Sequence, residues 1–174
     1  MENSKTTDPR MLTGMFSDRR DAESAYHSLK EKGYTDDEIN LIMSDDTRKK
    51  YYSKGETEIG TKAMEGAGAG SAIGGAIGAV AGIIATLGTS ILIPGLGIII
   101  AGPIAAGLAG AGAGGITGGI IGALVGNGIP EERAKLYESG IKDGKIVVGV
   151  HPRNEEDARY FEDDWRRYKG EVIL

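Results

Sequence analysis

Residues 66–130 read GAGAGSAIGGAIGAVAGIIATLGTSILIPGLGIIIAGPIAAGLAGAGAGGITGGIIGALVGNGIP and contain no Asp, Glu, Lys, Arg or His. Gly66, Gly70, Gly74, Gly78 and Gly82 recur every four residues there, and so do Gly110, Gly114, Gly118, Gly122 and Gly126. A glycine in a helix interior costs about 1 kcal/mol relative to alanine, so two such rows need close backbone packing to compensate. Small-xxx-small faces provide that packing between membrane helices. The other face of the first row carries Ile73, Ile77, Val80, Ile84, Leu87 and Ile91 at the alternating spacing of a helix-packing seam. The pattern predicts two helical arms, 68–92 and 98–125, each longer than the ~20 residues that cross a bilayer. Pro94 and Gly95 supply the turn between them. Residues 61–130 are thus expected to form a glycine-zipper helical hairpin.

All charge lies outside this segment. Residues 1–10 are a polar tail without the apolar core of a secretory signal. Residues 11–16 (MLTGMF) read as a strand, then Ser17 or Asp18 caps a helix whose Ala22, Ala25, Tyr26 and Leu29 follow helical spacing up to Gly33. Residues 39–43 (INLIM) form a compact apolar strand, ended by the polar cluster SDDTRKK. After the segment, Pro130, Glu131 and Glu132 open a short helix that ends near Gly140, followed by a strand at 146–150 (IVVGV). Asn154 caps a last helix with the stripe Ala158, Phe161, Trp165 and Tyr168, and a strand closes the chain at 172–174. Two β-α-β units in series predict an α+β fold of the split ferredoxin-like plan, a four-stranded antiparallel sheet with two helices on one face. The domain is expected to combine residues 11–60 and 131–174. The hairpin would then leave between the second and third strands and contribute nothing to sheet or core, so that the flanks joined together should fold alone.

The chain has 174 residues, a net charge of −5 and no cysteine. The acidic balance and the lack of interleaved basic and aromatic residues argue against nucleic acid as a partner. Without cysteine there are no disulfides, thiol nucleophiles or thiolate metal sites. Arg48, Lys49, Lys50, Lys54 and Lys62 precede the hairpin and Arg133, Lys135, Lys142 and Lys145 follow it. The positive-inside rule therefore places both flanks in the cytoplasm. Arg48, Lys49, Lys50 and Lys54, beside Tyr51 and Tyr52, are candidates for contact with anionic lipid headgroups, against the plainer reading of a solvated linker. The tip, residues 90–100, is the most apolar part of the segment, which predicts burial against other copies of the chain.

Other motifs carry little chemistry. Gly110, Gly112 and Gly115 satisfy G-x-G-x-x-G, but no strand precedes them. The segment has no lysine for a phosphate loop. His27 and His151 stand without ligand-spaced partners. Glu155, Glu156 and Asp157 have the composition of a first helical turn. Asp163 and Asp164 beside Arg166 and Arg167 read as a charged helix face, and Trp165 as core. No cofactor, metal or small-molecule substrate is implied, and the chain is not expected to be an enzyme.

The stretches GMFSDRRDAESAYHSLKEKGY, INLIMSDD, IPGLGIIIAGPIAAGLAGAGAGG and GALVGNGIPEERAKLYESGIKDGKIVVGV together resemble the bacterial general (heat- or cold-induced) stress protein family that carries a glycine-zipper insert. The resemblance covers about residues 11–150. It implies a ferredoxin-like domain, a role in stress tolerance and membrane association, with no catalytic residues to transfer. The expected function is a stress-tolerance homo-oligomer assembled through the zipper and inserted in a membrane with both flanks cytoplasmic. The alternative is a soluble cytoplasmic shell or filament that buries the hairpins inside itself. A third reading, an enzyme built on the sheet, rests only on the versatility of the ferredoxin-like fold, and a coherent polar pocket would favour it.

Overall fold

A computed structural model describes residues 10–52, 91–93, 97–110, 119–126 and 128–173. The chain is α+β with an antiparallel sheet. Strands β1 (Leu12–Phe16), β2 (Ile39–Ser44), β5 (Ile146–Val150) and β6 (Glu171–Ile173) come from the charged flanks. Strands β3 (Ile91–Ile93) and β4 (Ile98–Ala101) come from the uncharged segment. The order across the sheet is β3-β4-β2-β5-β1-β6 and every neighbouring pair is antiparallel.

The flanking helices begin where the caps predict. Asp18 accepts a hydrogen bond from Arg20 N at 2.8 Å to open α1 (Arg19–Glu31), and Ala22, Ala25, Tyr26 and Leu29 are all buried. Gly33 turns the chain at φ +81°. Asn154 Oδ1 accepts from Asp157 N at 2.7 Å to open α6 (Glu155–Arg167). The polar cluster after β2, expected only to end the strand, is instead a helix, α2 (Asp45–Tyr52). Ser44 Oγ accepts from Thr47 N at 3.0 Å in the manner of an N-cap, with Asp45 and Asp46 in the first turn and Lys49 and Lys50 in the last.

The sheet is covered on both faces. On one, Leu12, Phe16, Ile39, Leu41, Ile146 and Val148 pack against α1 and α6, with Phe161 and Trp165 fully buried. On the other, Met15, Ile42 and Val147 pack against α5 (Glu131–Lys142) and against side chains of the uncharged segment. Those side chains lie on β4, α3 (Pro103–Gly110) and α4 (Gly119–Gly126). Two expectations are corrected here. The second arm does not start as a helix at Ile98, because Ile98–Ala101 pairs with β2 through Ser44↔Ile98 to Leu41↔Ala101. Nor is the segment a bystander to the core, because Ile98, Ile100, Ile104, Ile120, Leu124 and Ile129 are each 5% exposed or less.

The far end of the first helical layer is tied by a polar lock. Arg153 lies 4.2 Å from the Tyr34 ring centroid and pairs with Glu38 at 2.9 Å, while Tyr34 donates to Asp157 at 2.7 Å. The Arg153 guanidinium and the Thr35 N–H hold the Glu38 carboxyl down, from 4.5 to about 2. A lowered folded-state value means stabilisation that is complete above the unfolded value and lost as pH falls through the folded one. The gap in thermal midpoint between wild type and Arg153→Ala should therefore narrow as pH drops from about 4.5 towards 2. A gap that stays constant across that range would exclude Glu38 as the titrating partner. The pair is exposed, so the effect is modest.

Candidate functional site

The expected zipper residues divide into two groups. Gly66, Gly70, Gly74, Gly78, Gly82, Gly114 and Gly118 lie outside the described residues, as do the turn residues Pro94 and Gly95 and the basic Lys54. Gly110 ends α3, and Gly122 and Gly126 lie on α4. A Cβ placed on Gly107, Gly122 or Gly126 would meet nothing within 4 Å among the described residues. These glycines are not filled by the described part of their own chain.

Beyond the β2–β4 ladder and the shared core, a side-chain hydrogen bond ties the layer that carries them to the body. Asn40, buried on β2, accepts a hydrogen bond from Ile104 N at 2.8 Å, satisfying an otherwise unpaired N–H in the first turn of α3. Between β4 and that helix stands Gly102 at φ +98°, where an added Cβ would lie 2.1 Å from Ile39 O. Sequence reasoning missed both residues, since nothing in their local context marks a contact across the fold. The layer's outer surface is apolar: Leu92 is 52% exposed and Val125 43%, and Leu136 on the adjoining α5 is 57% exposed. β3 is the outermost strand of the sheet.

The basic run on α2 is partly neutralised within its own helix. Arg48 and Lys49 share Asp45, at 3.0 and 2.6 Å, and Lys50 sits 4.9 Å from the centre of the Tyr51 ring. The two cations hold the Asp45 carboxyl below its ordinary range. The end of α2 is clamped to α1. Arg19 donates to Tyr51 O at 2.8 Å, pairs with Glu23 at 2.5 Å and stacks on Tyr52 at 4.9 Å. Burial raises Glu23 above the usual carboxylate value even with Arg19 beside it. Burial also pushes the Tyr52 phenol well up, with the Glu23 carboxylate adding to the rise and Arg19 opposing it.

The residues weighed for catalysis are dispersed. His27 pairs with Glu31 at 3.2 Å on the exposed face of α1, and His151 is exposed after β5. Asp157 serves the α6 cap and Tyr34. Asp164 departs from the expected charged face, since it is 6% exposed and one carboxylate oxygen has no partner among the described residues. Among those residues no group of three or more His, Cys, Asp or Glu is placed to hold a metal, and no helix is long and apolar enough to cross a membrane. No known protein family, curated protein or solved structure matches the chain.

Proposed function

We propose that this chain is a non-enzymatic stress-tolerance protein in which a ferredoxin-like body carries a glycine-rich segment that assembles copies of the chain. The ferredoxin-like reading draws support from the order β2-β5-β1-β6 among the flanking strands. It is also supported by α1, which connects β1 to β2, and α6, which connects β5 to β6. The role in stress tolerance rests on the resemblance to the general stress protein family. The observation that carries self-assembly is the open glycine row on α4 beside exposed Val125, in a layer without a single charge. Helices that expose glycines in this way gain from a close partner, and an uncharged apolar surface is what soluble proteins ordinarily cover.

Two settings suit such an assembly. Burial of Ile98, Ile100 and Ile104 against the polar body favours a soluble homo-oligomer, because the same side chains cannot face lipid and sheet together. The uncharged stretch 66–90 and the basic run Arg48, Lys49, Lys50 support a membrane-inserted one with both flanks on the cytoplasmic side.

Replacing Gly122 and Gly126 together with leucine tests the assembly. A Cβ at either position meets nothing within 4 Å among the described residues, so the thermal midpoint of the protomer should hold or rise while the particle mass falls. Sedimentation of the detergent-free protein reads the mass, and a carbonate wash of membranes separates the two settings. An unchanged mass in this variant and in Gly74→Leu with Gly78→Leu would remove the zipper as the assembly element.

A further inference from the structure

We infer that the cavity between the start of β1 and the entry to α5 binds a small oxyanion, a carboxylate or a phosphate group, between Arg10 and Arg133. The cavity has a volume of about 190 Å³, and both arginines line it together with Thr13 and the apolar Met11, Ile129 and Pro130. The two arginines are far apart in sequence and are brought to one recess by the fold. Arg10 stands just ahead of β1 and Arg133 in the first turn of α5.

Among the described residues, Arg10 and Arg133 share the lack of an ion-pair partner with Arg20, Lys32, Lys50, Arg167 and Lys169, and what distinguishes them is the recess that both line. Most described Lys and Arg side chains are in ion pairs, including Lys135 with Glu131 at 2.7 Å on the same turn of α5. Arg10 and Arg133 are in none among the described residues, and no Asp or Glu lines the cavity they share. Two arginines lining one recess of an acidic protein, with no carboxylate beside them there, leave a site that an anion completes. The planar guanidinium fork matches carboxylate and phosphate oxygens in particular.

The walls indicate the rest of the ligand. Met11 and Ile129 belong to the apolar core of the second face, so the recess strengthens charge interactions and can hold an apolar body. Thr13, which lines the cavity, has its Oγ1 2.6 Å from Tyr137 OH, a buried hydroxyl pair. One water takes roughly 30 Å³ of liquid volume, so the cavity has room for a headgroup with a few carbons attached. Such a headgroup can come from a free metabolite or from a lipid.

Calorimetric titration of the full chain with sodium hexanoate and with inorganic phosphate tests the site. Saturable binding with one site per chain is expected for at least one of them. Arg10→Gln and Arg133→Gln should each weaken it at least tenfold, and Arg20→Gln, at an exposed position on α1, should leave it unchanged. Melting curves confirm that the variants are folded. Retention on phosphatidylcholine vesicles doped with phosphatidylglycerol, displaced by free phosphate, would assign the headgroup to a lipid. Free-anion binding without vesicle retention would assign it to a soluble ligand. The inference is overturned if wild type binds none of the three saturably, or if Arg20→Gln weakens binding as much as Arg133→Gln.

Discussion

A chain joining residues 1–60 directly to 131–174 should fail to fold cooperatively, although it retains β1, β2, β5, β6 and four of the helices. The removed stretch supplies Ile98, Ile100, Ile104, Ile120, Leu124 and Ile129 to the second face of the sheet, each nearly or fully buried. Burying one such side chain stabilises by about 1.5–3 kcal/mol, so their gross contribution is on the order of 10 kcal/mol. That is comparable to the whole stability of a small domain, about 5–15 kcal/mol. β2 would also lose its pairing with β4 along Leu41–Ser44 and become an exposed edge with Ile42 uncovered. In urea the shortened chain should show no cooperative transition in the near-ultraviolet signal of Trp165, with dye binding to exposed apolar surface. Keeping residues 91–130 and removing only 61–90 should restore the transition. If instead the 1–60/131–174 chain unfolds at the same urea concentration as the full protein, the second layer contributes nothing to the fold.

The flanking elements are legible because their signals are local. A cap residue followed by apolar residues at helical spacing is enough to locate α1 and α6, and neither depends on what packs above it. The second layer is different. INLIM and IVVGV carry apolar residues at consecutive positions, where a strand with one wet face would alternate. Both runs therefore call for cover on two faces, and α1 and α6 supply only one. The missing cover lies in a stretch whose glycine rows and lack of charge have the look of a membrane hairpin. Its strand β4 is four residues long, too short for periodicity to separate strand from helix. α2 escaped for another reason: SDDTRKK is polar throughout, and only the Ser44 to Thr47 cap and the acid-to-base gradient mark it as helical. The candidate site was partly legible in the same sense. The glycine row on α4 is visible in sequence, whereas Asn40 with Ile104 and Arg10 with Arg133 meet only through the tertiary fold.

Gly102→Ala should be among the most damaging single-methyl changes available in this chain, costing about 4 kcal/mol or more, at the upper end of point-mutation effects. Two terms add. Gly102 sits at φ +98°, which an L side chain adopts at a cost of about 1–3 kcal/mol. Its new Cβ would also lie 2.1 Å from Ile39 O and 3.0 Å from Asn40 Cα, so a strand backbone has to move. Moving it pulls Asn40 away from Ile104 N, opens the first turn of α3 and strains the adjoining β2–β4 pairing, which loosens the apolar layer on the body. Gly33→Ala separates the terms, because Gly33 has φ +81° but nothing within 4 Å of its Cβ, and about 1 kcal/mol is expected there. Asn40→Ala isolates the tether and should cost about 0.5–2 kcal/mol, the range of a lost helix cap. Urea unfolding of the three variants orders them, with Gly102→Ala well beyond the other two. A Gly102→Ala midpoint no lower than that of Gly33→Ala would mean that the close approach to β2 does not hold the layer, and the coupling of the uncharged segment to the sheet would have to lie elsewhere.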